Sequence, residues 1–313
     1  CNYLTNIAMK KMQYLLHVIV VAIAATCLAM VATGCNDDGP VVDRINSEVD
    51  SIALCKIIAA GPVYYEYQHK WDPKKINSLP PDWKVYWRMC EDGKNHIVGM
   101  VVCAYDYRLP GRVSEAFADL EYLETVVIMG PGWEGQLPEN FGKNITGLGL
   151  KETLLTSIDC NMNLAEMWQF FIQDNPLLNT LPDLSTLGRD LDYRQEFNVV
   201  ITNNENLSGQ VPSINMQNKQ RYCIQIKGNG DTSVDYHQIG LYRCHWGIEN
   251  CIEMSNNKIS GTLPDYITND PHRLVRAYYI LNPQSDGYGF SNMPSDEEVA
   301  RIKKELDLPN SAY

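Results

Sequence analysis

The sequence predicts an α/β solenoid: a chain wound into stacked coils that share one parallel sheet, with a helical and aromatic cap at the N-terminal end and a helix at the C-terminal end. Three observations predict it. First, a frame of the form apolar-x-x-apolar-x-apolar-x-x-Asn recurs eight times between Ile97 and Pro283. Second, successive frames end 26, 22, 22, 29, 25, 28 and 26 residues apart, the spacing of a stacked repeat. Third, four frames end on Asn175, Asn204, Asn229 and Asn257. An Asn amide carries both donors and an acceptor, which suits a buried chain corner whose backbone groups need partners.

The frames run Ile97-Met100-Val102-Tyr105, Leu123-Val126-Ile128-Pro131, Ile145-Leu148-Leu150-Thr153 and Met167-Phe170-Ile172-Asn175. They continue as Glu196-Val199-Ile201-Asn204, Arg221-Ile224-Ile226-Asn229, Glu249-Ile252-Met254-Asn257 and Val275-Tyr278-Ile280-Pro283. In each unit the fourth and sixth residues are expected to point inward from a short strand. One such unit cannot bury an apolar face by itself, so stability must come from stacking. Three or four buried aliphatic residues per unit, each contributing roughly 1.5 to 3 kcal/mol, can sustain such a stack.

Composition sets the outer bounds. The chain has 313 residues, 45% hydrophobic and 20% charged, with Gly 21 and Pro 16, which is ordinary for a globular protein. Lys and Arg number 26 against 38 Asp and Glu, a net charge of −12, so no basic surface is available for nucleic acid.

The N-terminal stretch carries its own signal. Lys10-Lys11, an apolar run from Tyr14 to Ala32, and Thr33-Gly34-Cys35 have the order of a secretory signal, with the start expected at Met9 or Met12. Small residues immediately before Cys35 resemble a bacterial lipobox, although Ala32 stands where Leu is favoured. The resemblance implies removal of residues 1–34 and lipidation of Cys35. More than one acyl chain on that cysteine gives stable membrane attachment without a spanning helix. Residues 35–41 form the tether, and Asn36-Asp37-Asp38-Gly39-Pro40 resembles the acidic export signal of surface lipoproteins of the Bacteroidetes. Cleavage also removes Cys1, Cys27, Lys10 and Lys11, leaving a net charge of −14 and, beside Cys35, seven cysteines without a C-x-x-C pair. That odd, scattered set argues against a zinc ribbon or a redox dithiol.

Four units carry a downstream Pro, in Gly135-Gln136-Leu137-Pro138, Asn179-Thr180-Leu181-Pro182, Gly209-Gln210-Val211-Pro212 and Gly261-Thr262-Leu263-Pro264. Gly permits the turn and Pro fixes an extended return segment that needs no donor. Asn257-Lys258-Ile259-Ser260-Gly261-Thr262-Leu263-Pro264 and Leu207-Ser208-Gly209-Gln210-Val211-Pro212 resemble the L-S-G-x-I-P subclass of leucine-rich repeats. The resemblance covers residues 97–283 and implies a right-handed superhelix with its parallel sheet on a concave face. Tyr105, Pro131, Thr153 and Pro283 depart from the Asn of the pattern, and Glu196, Arg221 and Glu249 from its first apolar residue.

Residues 42–96 are expected to form the N-terminal cap: an amphipathic helix with Val42, Ile45, Val49, Ile52 and Ile57 near one face, then the rings of Tyr64, Tyr65, Tyr67, Trp71, Trp83 and Trp87. Residues 284–313 form the C-terminal cap, where Ser295 and Glu298 match a capping box ahead of Val299, Ile302 and Leu306.

Third, fifth and seventh positions of each unit should face the inner curve, where repeat proteins bind partners. The candidate binding face is Gln169, Phe171, Gln173, Asn198, Thr202, Gln225, Lys227, Glu253 and Tyr279. Cys223 and Cys251 share one position of adjacent units, with His237, Cys244 and His245 nearby, but parallel strands do not converge ligands tetrahedrally, so no metal site is expected. Asp50-Ser51-Ile52 resembles a short glycosylation acceptor, in a segment predicted to be helical. Catalytic signatures are absent from the sequence, and neither an activity nor a cofactor is expected. The expected function is that of a lipid-anchored outer-membrane protein, exposed at the cell surface, binding a protein or glycan in adhesion or envelope assembly. Two alternatives are a periplasm-facing structural lipoprotein and, last, an enzyme with residues in 62–96.

Overall fold

The computed structural model describes residues 46–63, 79–80, 82–106, 109–192, 195–214, 221–236 and 250–308. The signal segment, Cys35 and its tether, Val42, Ile45, Tyr64, Tyr65, Tyr67, Trp71, His237, Cys244 and His245 lie outside the described residues.

Seven repeat frames each place a strand in one sheet, and an eighth strand precedes them. The strands are β1 (Lys84–Met89), β2 (Asn95–Cys103), β3 (Thr125–Met129), β4 (Gly147–Lys151), β5 (Gln169–Gln173), β6 (Glu196–Thr202), β7 (Arg221–Lys227) and β8 (Asn250–Glu253). They lie side by side in chain order; β1 runs antiparallel to β2 and every later pairing is parallel. The architecture is α/β, built on a mostly parallel sheet whose connecting segments cover one face.

The register is the one the repeat frame requires. Met100, Val126, Leu148, Phe170, Val199, Ile224 and Ile252 form one row across the sheet, each the fourth residue of its unit. Val102, Ile128, Leu150, Ile172, Ile201 and Ile226 form the next. Both rows are buried in a single apolar core with Ile97, Leu123, Ile145 and Met167.

The segments before the repeat prolines do more than run extended. Trp133–Gln136 joins Gly111–Arg112 and Leu154–Ser157 in a small parallel sheet, Ser208–Gln210 pairs with Gly230–Ser233, and Ser260–Gly261 with Gly289–Phe290. Their glycines have φ of 89° at Gly135, 114° at Gly209 and 142° at Gly261, and a Cβ there would meet nothing within 4 Å. Backbone angle, not crowding, therefore calls for glycine at these three positions.

Each strand from β3 to β8 is followed by a left-handed residue one position before the Asn of the frame: Gly130, Glu152, Asp174, Asn203, Gly228 and Asn256, with φ from 55° to 98°. That residue turns the chain so that the next amide and side chain point into the stack. There the asparagines form a ladder. Asn175 Oδ1 accepts from Thr153 N at 3.0 Å, and Asn204 Oδ1 accepts from Asn175 N at 3.1 Å and Nδ2 at 3.0 Å. Asn229 and Asn257 repeat the backbone contact at 3.0 Å each. Each Nδ2 also donates to the carbonyl of the sixth residue one unit back: Leu150, Ile172, Ile201 and Ile226.

The eighth frame is a correction. Val275, Tyr278 and Ile280 lie not on a strand but on helix α2 (Pro271–Leu281), following α1 (Glu48–Ala60) in the cap. Asp270 caps α2, its side chain accepting from His272 N and Arg273 N, and Pro271 occupies the first turn, where its missing N–H costs nothing. Apolar residues three apart satisfy a helix as well as the frame, and the Asp-Pro start decides between them. From the last turn of α2 onward the chain rejoins the pattern: Met254 N donates to Ile280 O, Asn256 N to Pro283 O and Ser285 N to Asn257 O. Gln284, not Pro283, takes the ladder position, its Nε2 donating to Met254 O at 3.0 Å.

A second correction concerns α1. Its buried residues are Asp50, Ala53, Leu54, Ile57 and Ile58, whereas Val49 and Ile52 are 60% and 49% exposed. Asp50 sets this rotation. Its carboxylate accepts from Ile97 N at 2.7 Å and lies 3.1 Å from His96 Nδ1, so the helix turns its acid inward to the start of β2. Trp83 is buried with its ring centroid 5.8 Å from that of Trp133, and Trp87 packs against the core from β1. At the other end α3 (Asp296–Glu305) is capped by Ser295 Oγ, which accepts from Glu298 N at 3.2 Å, and buries Val299 and Ile302.

Two substitutions of opposite sign test this account of the corner. Asn204→Ala orphans the Asn175 N–H and the Ile172 carbonyl inside the core and should cost about 3 to 5 kcal/mol in denaturant unfolding. Glu152→Asn relieves a left-handed residue that lacks glycine's freedom or Asn's tolerance and should gain about 1 kcal/mol.

Candidate binding face

Side chains alternate along a strand, so the third, fifth and seventh residues of each unit leave the sheet opposite the core. Three rows result. The first is Thr125, Gly147, Gln169, Asn198 and Cys223; the second Val127, Gly149, Phe171, Val200, Gln225 and Glu253; the third Met129, Lys151, Gln173, Thr202 and Lys227.

The predicted residues divide into three groups. Phe171, Asn198, Gln225, Lys227 and Glu253 are partly exposed and come together on β5 to β8. Gln169, Gln173 and Thr202 share the face but are buried. In a parallel sheet a residue is flanked at strand spacing on both sides, so neighbouring side chains remove polar groups from solvent. Tyr279 does not belong to the face: it sits on α2, half-buried, its ring edge-on to Tyr278 with centroids 5.1 Å apart and Lys303 Nζ 5.2 Å from the ring centre.

Polar contacts run along the third row. Gln173 Nε2 donates to Thr202 Oγ1 at 3.1 Å, while Gln173 Oε1 is buried and has no hydrogen-bond partner. Lys227 Nζ donates to Glu253 Oε2 at 3.0 Å, and Glu253 Oε1 accepts from Ser255 Oγ at 2.9 Å. The Lys227–Glu253 pair is part-exposed, so it orients the two charges more than it stabilises the fold. At the N-terminal end Val127 and Met129 are half-buried, and the Tyr105 hydroxyl contacts Met129 Sδ at 3.9 Å.

Cys223 and Cys251 are register partners on β7 and β8, as their shared repeat position implies. Among the described residues no group of three His, Cys, Asp or Glu side chains is placed to hold a metal ion. Burial pushes the Cys103 thiol up to about 11 and the Cys160 thiol to about 12, so neither is a nucleophile at neutral pH. No helix among the described residues is long and apolar enough to cross a membrane.

One titratable group off this face stands out. Asp231 is two residues beyond the ladder Asn229, where three other units bury Trp133, Leu155 and Ile259 and two expose Leu177 and Asn206. It is 1% exposed, its Oδ2 has no partner, and burial raises its carboxyl to about 7 against a hydrogen bond with Asn229 that lowers it.

Comparison with known proteins returns nothing: no family model, no curated protein and no solved structure matches this chain.

Because the folded carboxyl titrates near 7 and the unfolded one near 3.8, the folded state holds the extra proton between those values. The stability it contributes is complete below about pH 4 and is lost as pH rises towards 7, at about 1.4 kcal/mol per pKa unit of difference. Asp231→Asn should therefore raise the unfolding midpoint at pH 8 and leave it nearly unchanged at pH 4, as read by thermal melts across that range.

Proposed function

We propose that this chain is a leucine-rich-repeat solenoid carried on a lipidated Cys35 and that its outward sheet face binds a protein or glycan at the cell surface. The observation that carries the binding role is the group of partly exposed Phe171, Asn198, Gln225, Lys227 and Glu253, drawn from the three outward rows on four consecutive strands. Three strand spacings make this a strip of about 14 Å, with one aromatic ring, two amides and one ion pair. An aromatic anchor with polar groups around it is a common composition for a recognition surface. The repetition of register, corner and ladder in unit after unit supports the solenoid reading, because every coil offers the next the same unsatisfied groups. The lipobox-like Thr33-Gly34-Cys35 and the acidic residues after it support the anchoring and the surface location.

The test uses the soluble ectodomain from residue 36 onward, immobilised beside a Phe171→Ala/Gln225→Ala double variant. Retention of envelope proteins or glycans should fall at least tenfold on the variant, with an unchanged melting curve. Equal retention would remove the face from the binding role, and survival of the protein when intact cells are treated with protease would remove the surface location.

A further inference from the structure

Helix α1 is apolar on both sides. Its inner side buries Ala53, Leu54, Ile57 and Ile58. Its exposed residues are Val49, Ile52, Ala59 and Ala60, with only Glu48 and Lys56 carrying charge. A surface helix ordinarily turns polar side chains outward. Helix α3 does so, exposing Asp296, Glu297, Glu298, Arg301, Lys304 and Glu305 with one alanine. Val49 and Ile52 are three residues apart, so they stand on one stripe of α1, and Lys56 continues it in the next turn.

The stripe lies at the end of the molecule where the chain enters. Asn46 bridges Asn95, and Ser47 N donates to Asn95 O at 2.8 Å, so the start of α1 is fixed beside the start of β2. On its other side Asn95 pairs with Met89, which is 45% exposed. Asn46 and Met89 thus flank one residue, at two strand spacings or about 10 Å. Of the seven large hydrophobic side chains exposed among the described residues, Val49, Ile52 and Met89 gather at this end.

Resting on the reading of Cys35 as a lipid anchor, we infer that the outer stripe of α1, together with Met89, lies on the bilayer that holds the anchor, with Val49 and Ile52 reaching past the headgroups. Tether length and area select this occupant. About eleven residues separate Cys35 from Asn46, and a chain of that length spans at most about 40 Å. Helix α1 is therefore the first element held over the membrane, at the high local concentration a short tether gives. A protein partner needs more surface: three half-exposed side chains offer a few hundred Å² at most, against roughly 800 Å² per partner in a stable interface. A bilayer contact has no such threshold here, because the acyl chains supply attachment and the helix only adds to it. Lys56 is no obstacle, since its exposed pairing with Asp119 at 3.2 Å is weak and its long stem keeps the ammonium at headgroup level.

The test uses the acylated full chain in phosphatidylcholine nanodiscs, with methyl NMR in the presence of a spin-labelled lipid. The lipid should broaden the Val49, Ile52 and Met89 methyl signals at least twofold more than those of Leu177, which is 44% exposed in the middle of the stack. In Val49→Ser/Ile52→Ser, whose substituted side chains are exposed and whose melting curve should be unchanged, the broadening of Met89 should fall at least by half. Broadening at α1 no greater than at Leu177, or an unchanged Met89 signal in the variant, overturns the inference. So does a soluble ectodomain that dimerises in light scattering and becomes monomeric in the variant, which assigns the stripe to a second copy of the chain. Mass spectrometry of the protein from membranes separates the two failures: a Cys35 without acyl groups removes the anchored reading and the helix contact together, whereas an acylated chain with an unbroadened helix removes the contact alone.

Discussion

Every unit of this protein must turn its chain inside the core, and a turn inside a core leaves backbone amides and carbonyls with no water to meet them. The asparagine ladder answers that constraint. One side chain accepts the amide of the preceding corner and donates to a carbonyl further back, so each unit is completed by the next. The left-handed residue before each corner exists to aim these groups. Packing of the aliphatic rows supplies the driving force and the strand register, and the ladder satisfies the backbone groups that this register leaves at each corner.

The two ends solve the same problem by different means. At the start, Asp50 brings a helix against β2 by accepting from its backbone, and the antiparallel β1 covers the first parallel strand. At the finish, α2 stands where an eighth parallel strand would lie, and Gln284 reaches the carbonyl that an asparagine would otherwise take. The longer glutamine side chain compensates for a chain that arrives one residue late. Its Oε1 has no hydrogen-bond partner, so the last rung keeps the donating half of the ladder contact without the accepting half.

Much of this was legible in the sequence because the repeat pattern and the physics coincide. Seven frames predicted the strands and their alignment to the residue, since a one-residue slip would turn Met100, Val126 and Leu148 out of the core. Val275-Tyr278-Ile280 failed because a three-residue spacing serves strand and helix frames alike, and Asp270-Pro271 is the signal that should have outweighed it. Val49 and Ile52 failed because apolarity alone cannot say which side of a helix a buried acid will claim. The candidate face was legible in its alternation but not in its burial: Gln169, Gln173 and Thr202 lose their exposure to neighbours on other strands, which no local pattern records.

The units ending at Asn175, Asn204, Asn229 and Asn257 share one set of hydrogen bonds, whereas the first and last are individually fitted to Asp50 and to α2. Duplication of a segment such as 154–175 could therefore lengthen the protein from within, each new copy meeting familiar neighbours above and below. Growth at either terminus would find no such socket. The length of the molecule is thus an evolutionary variable in its middle and a fixed quantity at its margins.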